Sequence, residues 1–529
     1  MPESRTRVSR FRATQACALI FAIAIKGPIS LNLSFRSFNR QLICAGWSRE
    51  RFMQTRRSFL RTSLAATTAI LADLSSLVAN ERPAISKSLS DQSIDGVKFL
   101  TPEAPDYATA RKVYNAGILT QPKVIACCTS ETGVRHAVER AKAENWPIAV
   151  KAGGHSFEGF CLNDDGLVVN VSPLRQMQLD VKTGILTAGA GCRLEEVNRF
   201  LLARGRFLPA GSCGTVGLAG LTLGGGYGMF ARKWGLTCDH LRRVKMVDGA
   251  GTIRDSNEDP DLLWASRGGG NGHFGIVTEL TFNTRAAPAQ FSAWKFRAYR
   301  LDPKRATALL ETWFEASENL PNEAFSAWIM NGSQVTVLVT TIGSREQKGL
   351  VAFRRRLAGL TKKATSAVPS PLKKSLSWYY GDPGPVYFKN ASAGYYKGMT
   401  DIGHALPGIF EEVLTHPGLV FQINTLGGAI STEVEGAYPH RAFPYLGESQ
   451  AYWASPRHAA VLQEAIGRMR DHIAQAGITR HYANYPDLAF KDWPTAYYGE
   501  ENYVRLQELK RRYDPENRMR YPQSVQLPG

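Results

Sequence analysis

Residues 150–160, VKAGGHSFEGF, set two glycines directly ahead of a histidine and a serine, just after a run that reads as a buried strand. Glycines there let backbone N–H groups approach a phosphate closely, because no Cβ intervenes. Taken alone, the pattern fits a tight turn with a satisfied loop histidine equally well. Two further segments share its character: 210–228, AGSCGTVGLAGLTLGGGYG, and 267–275, RGGGNGHFG. Glycine at that density costs backbone entropy that a compact fold rarely spends without close contact to a ligand. The second segment holds a literal G-x-G-x-x-G at Gly270, Gly272 and Gly275, yet it follows a helical pattern and precedes a strand. A nicotinamide fingerprint needs strand, glycines, then helix, so that cofactor is rejected. A P-loop is excluded too, since no glycine loop ends in Gly-Lys-Ser/Thr.

The elements that must position these loops alternate from about Pro122. KVIACC, PIAVKA and GLVVNVS read as strands, and TSETGVRHAVERAKAEN as a helix starting at Thr129 and Thr132 and closed by Pro147. Then come the strand ILTAGAGC, the helix RLEEVNRFLLARG, a hairpin around Asp248-Gly249-Ala250-Gly251, a helix DLLWASR capped by Asp259-Pro260, and the strand IVTELTF. This is an α/β or α+β half. Residues 290–480 carry fewer glycines and more aromatics, with strands FSAWIMNG and QVTVLVTTIG and the helix RATALLETWFEASENL, and read as a second, substrate-covering domain. From 481 to 529 the sequence turns motif-like again, with a helix ENYVRLQELKRRYDP stopping at Pro515. There is no repeat and no low-complexity tract.

At 529 residues and 44% hydrophobic, the chain can bury more than one core. Its formal charge of +18 raises nucleic acid, but residues 1–79 hold twelve Lys or Arg against Glu3, Glu50 and Asp73, a net of +9, and the rest has no clustered arm. Nucleic-acid binding is therefore set aside. From Met53 the order MQTRRSFLR, with Arg56 and Arg57 adjacent, then an Ala/Thr/Leu run, resembles a twin-arginine export signal over 53–79. Residues 1–52 are then a leader or a non-native extension ahead of the true start. Their apolar run at 16–25 is too short to span a bilayer, and no later run is long enough. The expectation is export through the twin-arginine machinery, to a periplasmic or secreted location, with no stable membrane span. The eight cysteines offer no CxxC and no zinc spacing, so no metal site is expected; disulfides are possible in an exported chain, with connectivity open.

Taken in order, KAGGHS, GSCGTVGLAGLTLGGGYG with Arg232, Trp234-Gly235-Leu236 and Asp239, DLLWASRGGGNGHFGIVTELTF, YANYPD, YYGEEN and YDPENRMRYPQS resemble the berberine-bridge-enzyme-like FAD-linked oxidoreductases. Their flavin domain is of the vanillyl-alcohol-oxidase, or PCMH, type. The resemblance runs from about Pro122 to Gln523 and implies an α+β, two-domain flavoprotein. A discontinuous FAD-binding domain over 95–289 would be completed by 481–529, around an α/β substrate domain with an antiparallel sheet over 290–480.

It further implies FAD held covalently, through His155 to the 8α-methyl and Cys213 to C6 of the isoalloxazine. The family usually has proline after that cysteine, where this chain has Gly214, and often histidine where it has Leu221. The backbone of Lys151, Ala152, Gly153, Gly154, His155 and Ser156 would face pyrophosphate. Gly275, Ile276 and Val277 would face the adenine side, and Asn484 the ribityl chain. Val216, Gly217 and Gly220 complete the set, with Val216 at the position gating oxygen and resembling the oxidases. Tyr482 and Tyr485 match a tyrosine pair facing the flavin, Tyr482 being the first choice as base. A free tyrosine titrates near ~10, so it needs help to act near neutrality. Glu448, five residues before Trp453, falls where relatives place a substrate-facing carboxylate or amide, though a surface carboxylate fits equally well.

The implied activity is an oxidase taking a hydride from a hydroxyl-bearing carbon of a sugar, oligosaccharide or secondary alcohol, with O2 reduced to H2O2. A dehydrogenase of the same fold passing electrons to a quinone or cytochrome is the near alternative. A non-catalytic ligand-binding protein is the alternative of another class.

Overall fold

In the computed structural model the described residues are 93–529, without 367–368, 377–378 and 380–383. The export signal expected at 53–79 and the leading segment 1–52 lie outside them.

Apolar, β-branched runs form the parallel heart of a five-stranded sheet: Val124–Cys128, Leu167–Asn170 and Ile148–Lys151, with Cys127, Asn170 and Lys151 in one row. Strands covered on both faces need such continuous apolar sequence. The helix Glu131–Ala143 makes the crossover between two of them. Its cap is Ser130, one residue past the expected start: Ser130 has extended dihedrals and its hydroxyl accepts the Gly133 N–H, whereas the Thr129 hydroxyl turns to the Gly96 carbonyl.

A second, antiparallel sheet runs Ile253–Asp255, Leu241–Asp248, Gly275–Asn283, Ile185–Gly189, Met177–Asp180. Its hairpin turns where DGAG predicts. The Asp248 carboxylate accepts the N–H groups of Ala250 and Thr252, and Gly251 takes φ +90°. Asp259 precedes the helix Pro260–Ser266, but its carboxylate receives the Tyr513 hydroxyl instead of capping. One core, including Val134, Leu186, Leu280 and Phe282, packs between these sheets.

The third sheet has seven strands, all antiparallel, in the order Lys363–Ser366, Ser292–Ala298, Gln334–Thr341, Ala324–Asn331, Leu419–Thr425, Tyr445–Trp453, Tyr387–Tyr396. Period-two alternation sends Trp328, Phe421 and Ile423 to one face, under the helices Pro303–Ser317, Lys348–Leu360, Leu406–Thr415 and Ala459–Gln475. Each fully buried phenylalanine there, such as Phe353, Phe410 and Phe421, contributes roughly 2–3 kcal/mol of transfer free energy. The opposite face presents Asn390, Gln422, Asn424, Glu448 and Gln450, polar side chains that cannot face that core.

The chain then returns to the first core, which takes up Tyr497, Leu506, Tyr513, Met519 and Val525. Ile148 donates its N–H to the Arg518 carbonyl, so the tail lies along the first sheet's edge. Fully buried Lys510 pins it with all three ammonium hydrogens, to the His273 and Met519 carbonyls and the Asp514 carboxylate at 2.6–2.7 Å. Two mixed-layer cores in one chain make an α+β, two-domain architecture. None of the six described cysteines is in a disulfide, and among the described residues no helix is long and apolar enough to cross a membrane.

Candidate functional site

A cavity of about 340 Å³ lies between the glycine loops and the polar face of the seven-stranded sheet. Its loop wall is backbone against backbone. A Cβ on Gly153 would stand 2.4 Å from the Gly217 nitrogen, and one on Gly217 2.7 Å from the Gly153 nitrogen. Only glycine fits either position. Ala152, Gly153, Gly154, His155 and Ser156 line the cavity on one loop, with Cys213, Val216, Gly217 and Gly220 on the other. Gly275 and Val277 line it from their strand, while Ile276 points the other way into the first core, as alternation requires. Lys151 is buried outside the lining, on the row it shares with Asn170 and Cys127, and burial lowers its pKa.

His155 stacks on Tyr114 at 4.2 Å between ring centres, and enclosure holds its pKa down to about 3, so the imidazole is neutral. Its Nε2 is 3.0 Å from the Thr215 hydroxyl, which also lies 3.6 Å from the Cys213 sulfur. Burial pushes that thiol's pKa up, against the hydrogen bond from Thr215.

The tail supplies the next side. Asn484 donates to the Leu221 carbonyl and the Tyr482 hydroxyl, and accepts from Asn271, whose own Oδ1 is buried without a partner among the described residues. Tyr482 Oη accepts the Gly226 N–H at 2.9 Å and the Asn484 amide at 3.0 Å, yet burial outweighs both donors and raises its pKa to about 12. That environment stabilises the neutral phenol.

On the sheet wall the sequence's open question about Glu448 is resolved by position: it is 4% exposed and lines the cavity. Asn390, Gln450 and Tyr485 hydrogen-bond to it, and burial still raises it to about 7. Tyr485 is also 2.5 Å from Tyr227, which accepts from Asn424 at 3.3 Å. The result is a buried hydroxyl and amide chain ending on a carboxyl group that can change charge near neutrality. Thr215, Tyr227 and Asn390 are additional to the residues expected from sequence. Thr215 and Tyr227 sit inside the quoted glycine segments, two residues after Cys213 and within GGGYG, whereas the strand around Asn390 has no such marker.

The donor set suits a dinucleotide cofactor. Backbone N–H groups lie in loops that exclude side chains, two nucleophiles share one hydroxyl, and an orphan amide oxygen waits for a hydroxyl donor. Among the described residues no cluster could hold a metal ion. Comparison with known proteins agrees. Residues 122–257 match the FAD binding domain, and residues 481–526 the berberine and berberine-like domain. An uncharacterized FAD-linked oxidoreductase, YgaK of Bacillus subtilis (strain 168), is 29% identical over 445 residues, 81% of this chain and 96% of that protein. Chitooligosaccharide oxidase of Gibberella zeae is 29% identical over 442 residues, 78% of this chain and 89% of the relative. The structure of Physcomitrella patens BBE-like 1 superposes with a TM-score of 0.75 at 27% identity, over 82% of this chain and 98% of that one.

Fold, loops and matches together define an enzyme, an FAD-linked oxidoreductase. The second domain match falls on the returning tail and the superposition spans both domains, so over both the chain is similar to the berberine-bridge-enzyme-like proteins.

Proposed function

We propose that this enzyme is an oxidase of sugar or oligosaccharide hydroxyls. The observation that carries the reading is the sheet wall: Asn390, Asn424, Glu448 and Gln450 offer amide and carboxyl groups in a cavity otherwise lined largely by apolar and aromatic side chains. Amides that both donate and accept, beside aromatic rings such as Phe388 and Tyr452, suit a polyhydroxylated ligand. The similarity to a chitooligosaccharide oxidase supports the same substrate class.

When bound, FAD supplies the hydride acceptor and passes the electrons to dioxygen, giving hydrogen peroxide. The protein's own part is the proton. The substrate hydroxyl donates to Tyr485 Oη, whose proton passes to Glu448, already poised near neutrality. Tyr482 is held as a neutral phenol by burial and orients Asn484, so the base is Glu448, in place of the tyrosine first expected. Val216, in the lining beside Cys213, supports the oxidase reading over the dehydrogenase through the resemblance at that position. His155 and Cys213 are the two covalent attachment points.

The flavin domain comprises 95–289 and 481–529, and the substrate domain 290–480. Export follows from the twin-arginine order after Met53, and Arg56→Lys with Arg57→Lys would retain the enzyme in the cytoplasm on cell fractionation.

A panel of sugars, oligosaccharides and secondary alcohols, scored by anaerobic bleaching of the flavin, tests the substrate class; bleaching by none of the sugars overturns it. Stopped-flow mixing of the reduced enzyme with air tests the oxidase assignment. Reoxidation within seconds is expected, and a reduced flavin persisting for minutes would place the enzyme with the dehydrogenases.

A further inference from the structure

Between the two proposed attachment points stands a residue with no assigned part. Thr215 is buried, and its single hydroxyl reaches both His155 Nε2 at 3.0 Å and Cys213 Sγ at 3.6 Å. A hydroxyl has one hydrogen to give and lone pairs to accept with, so it can serve one partner as acceptor and the other as donor at once. His155 is neutral and so carries one N–H. Nδ1 makes no hydrogen bond among the described residues, while Nε2 faces Thr215. Stacking on Tyr114 fixes the plane of the ring.

We propose that Thr215 is the positioning residue for covalent flavin attachment: its hydroxyl holds the His155 proton on Nε2, leaving the Nδ1 lone pair as nucleophile, and turns its own hydrogen toward the Cys213 sulfur. The inference rests on the covalent reading given above. Each attachment replaces one N–H or S–H and one flavin C–H by an N–C or S–C bond, and the two protons and two electrons released pass through the ring to dioxygen as oxidant. The proton that His155 surrenders is the one on Nε2, and the proton that Cys213 surrenders is on Sγ. The first is accepted by the Thr215 oxygen; the second leaves Sγ to solvent, and the Thr215 O–H stabilises the thiolate left behind. Without it, a neutral imidazole loses the partner that selects its tautomer, and a buried thiol already pushed toward its protonated form loses the hydrogen bond that favours the thiolate.

The experiment compares wild type, Thr215→Val and Thr215→Ser. Flavin bonds per chain are counted by intact mass and by the yellow colour retained in an acid precipitate, at intervals after purified, partly loaded protein is given FAD. Thermal unfolding is followed in parallel. Wild type and Thr215→Ser are expected to complete both bonds. Thr215→Val, close in shape, is expected to form them about tenfold more slowly or more, the cost of a hydrogen bond lost on each nucleophile. Both bonds completed at the wild-type rate in Thr215→Val would overturn the proposal. Should Thr215→Val not fold, Thr215→Ser decides: attachment at the wild-type rate supports the hydroxyl's part, and slowed attachment overturns it by making the methyl group responsible. Wild type that surrenders all its flavin to acid overturns the covalent reading itself, an outcome distinct from the other two.

Discussion

Gly153 and Gly217 meet backbone to backbone on one side of the cavity, whereas Asn390, Glu448 and Gln450 meet side chain to side chain on the other. The loop wall recognises by excluding side chains, which leaves little freedom for substitution and suits a fixed cofactor. Its opposite, the sheet wall, recognises by presenting side chains from rigid strands, each of which can be exchanged without disturbing the ladder. A site built this way can keep its electron chemistry while its substrate preference changes.

The largest effect expected falls on the loop wall. His155→Ala with Cys213→Ala should abolish acid-stable flavin, while each single variant retains one bond; intact mass distinguishes the three. Glu448→Gln tests the sheet wall. Removing a general base should lower kcat about 10²–10³-fold with KM little changed. Because Glu448 ionises near 7, wild-type kcat should rise with pH through that value and level above it, and the variant should lose that limb.

The same carboxyl has a folded pKa above its unfolded value, so its stabilising share is present below about 4.3 and is lost as pH rises through about 7. Thermal unfolding between pH 5 and 8 should therefore fall less steeply in Glu448→Gln.

Lys389 ties the walls together. It pairs with Glu158 of the histidine loop and, at 3.2 Å, with Asp487 of the tail, which Arg470 also holds. Lys389→Met leaves the buried Glu158 carboxylate without its cation and should cost about 3 kcal/mol, read in denaturant unfolding. Gly217→Ala should cost about 1–3 kcal/mol by forcing the two loops apart. Its diagnostic is flavin content falling further than stability does. If Gly217→Ala instead loads FAD normally, backbone contact is not what shapes the loop wall.

The two walls were unequally legible. KAGGHS and GSCGTVG announce themselves because close backbone approach admits only glycine, so the constraint is written in residue type. Asn390 and Gln450 belong to strands whose alternation is visible, but nothing in a single chain tells which face meets solvent and which meets another domain. Burial decided Glu448: the sequence left it balanced between surface and site, and enclosure puts it in the cavity with its pKa raised to about 7. Thr215 was missed for a different reason. Its two partners are local at one end, Cys213, and 60 residues away at the other, His155, and only the fold closes that distance. The helix cap at Ser130 in place of Thr129 is a smaller case of the same kind, since either side chain can cap and the dihedrals choose.

The returning tail sets a timetable for biosynthesis. Asn484, Tyr485, Tyr521 and Gln523 all line the cavity, and Lys510 fastens their segment to the His273 loop. A ribosome that has delivered the whole first sheet and both glycine loops has still not delivered a closed pocket, because one of its sides is encoded last. Domains otherwise fold in the order of their synthesis. Cofactor capture is therefore expected to need this segment, and a chain truncated ahead of Asn484 should purify colourless even though every residue of the FAD binding domain match is present.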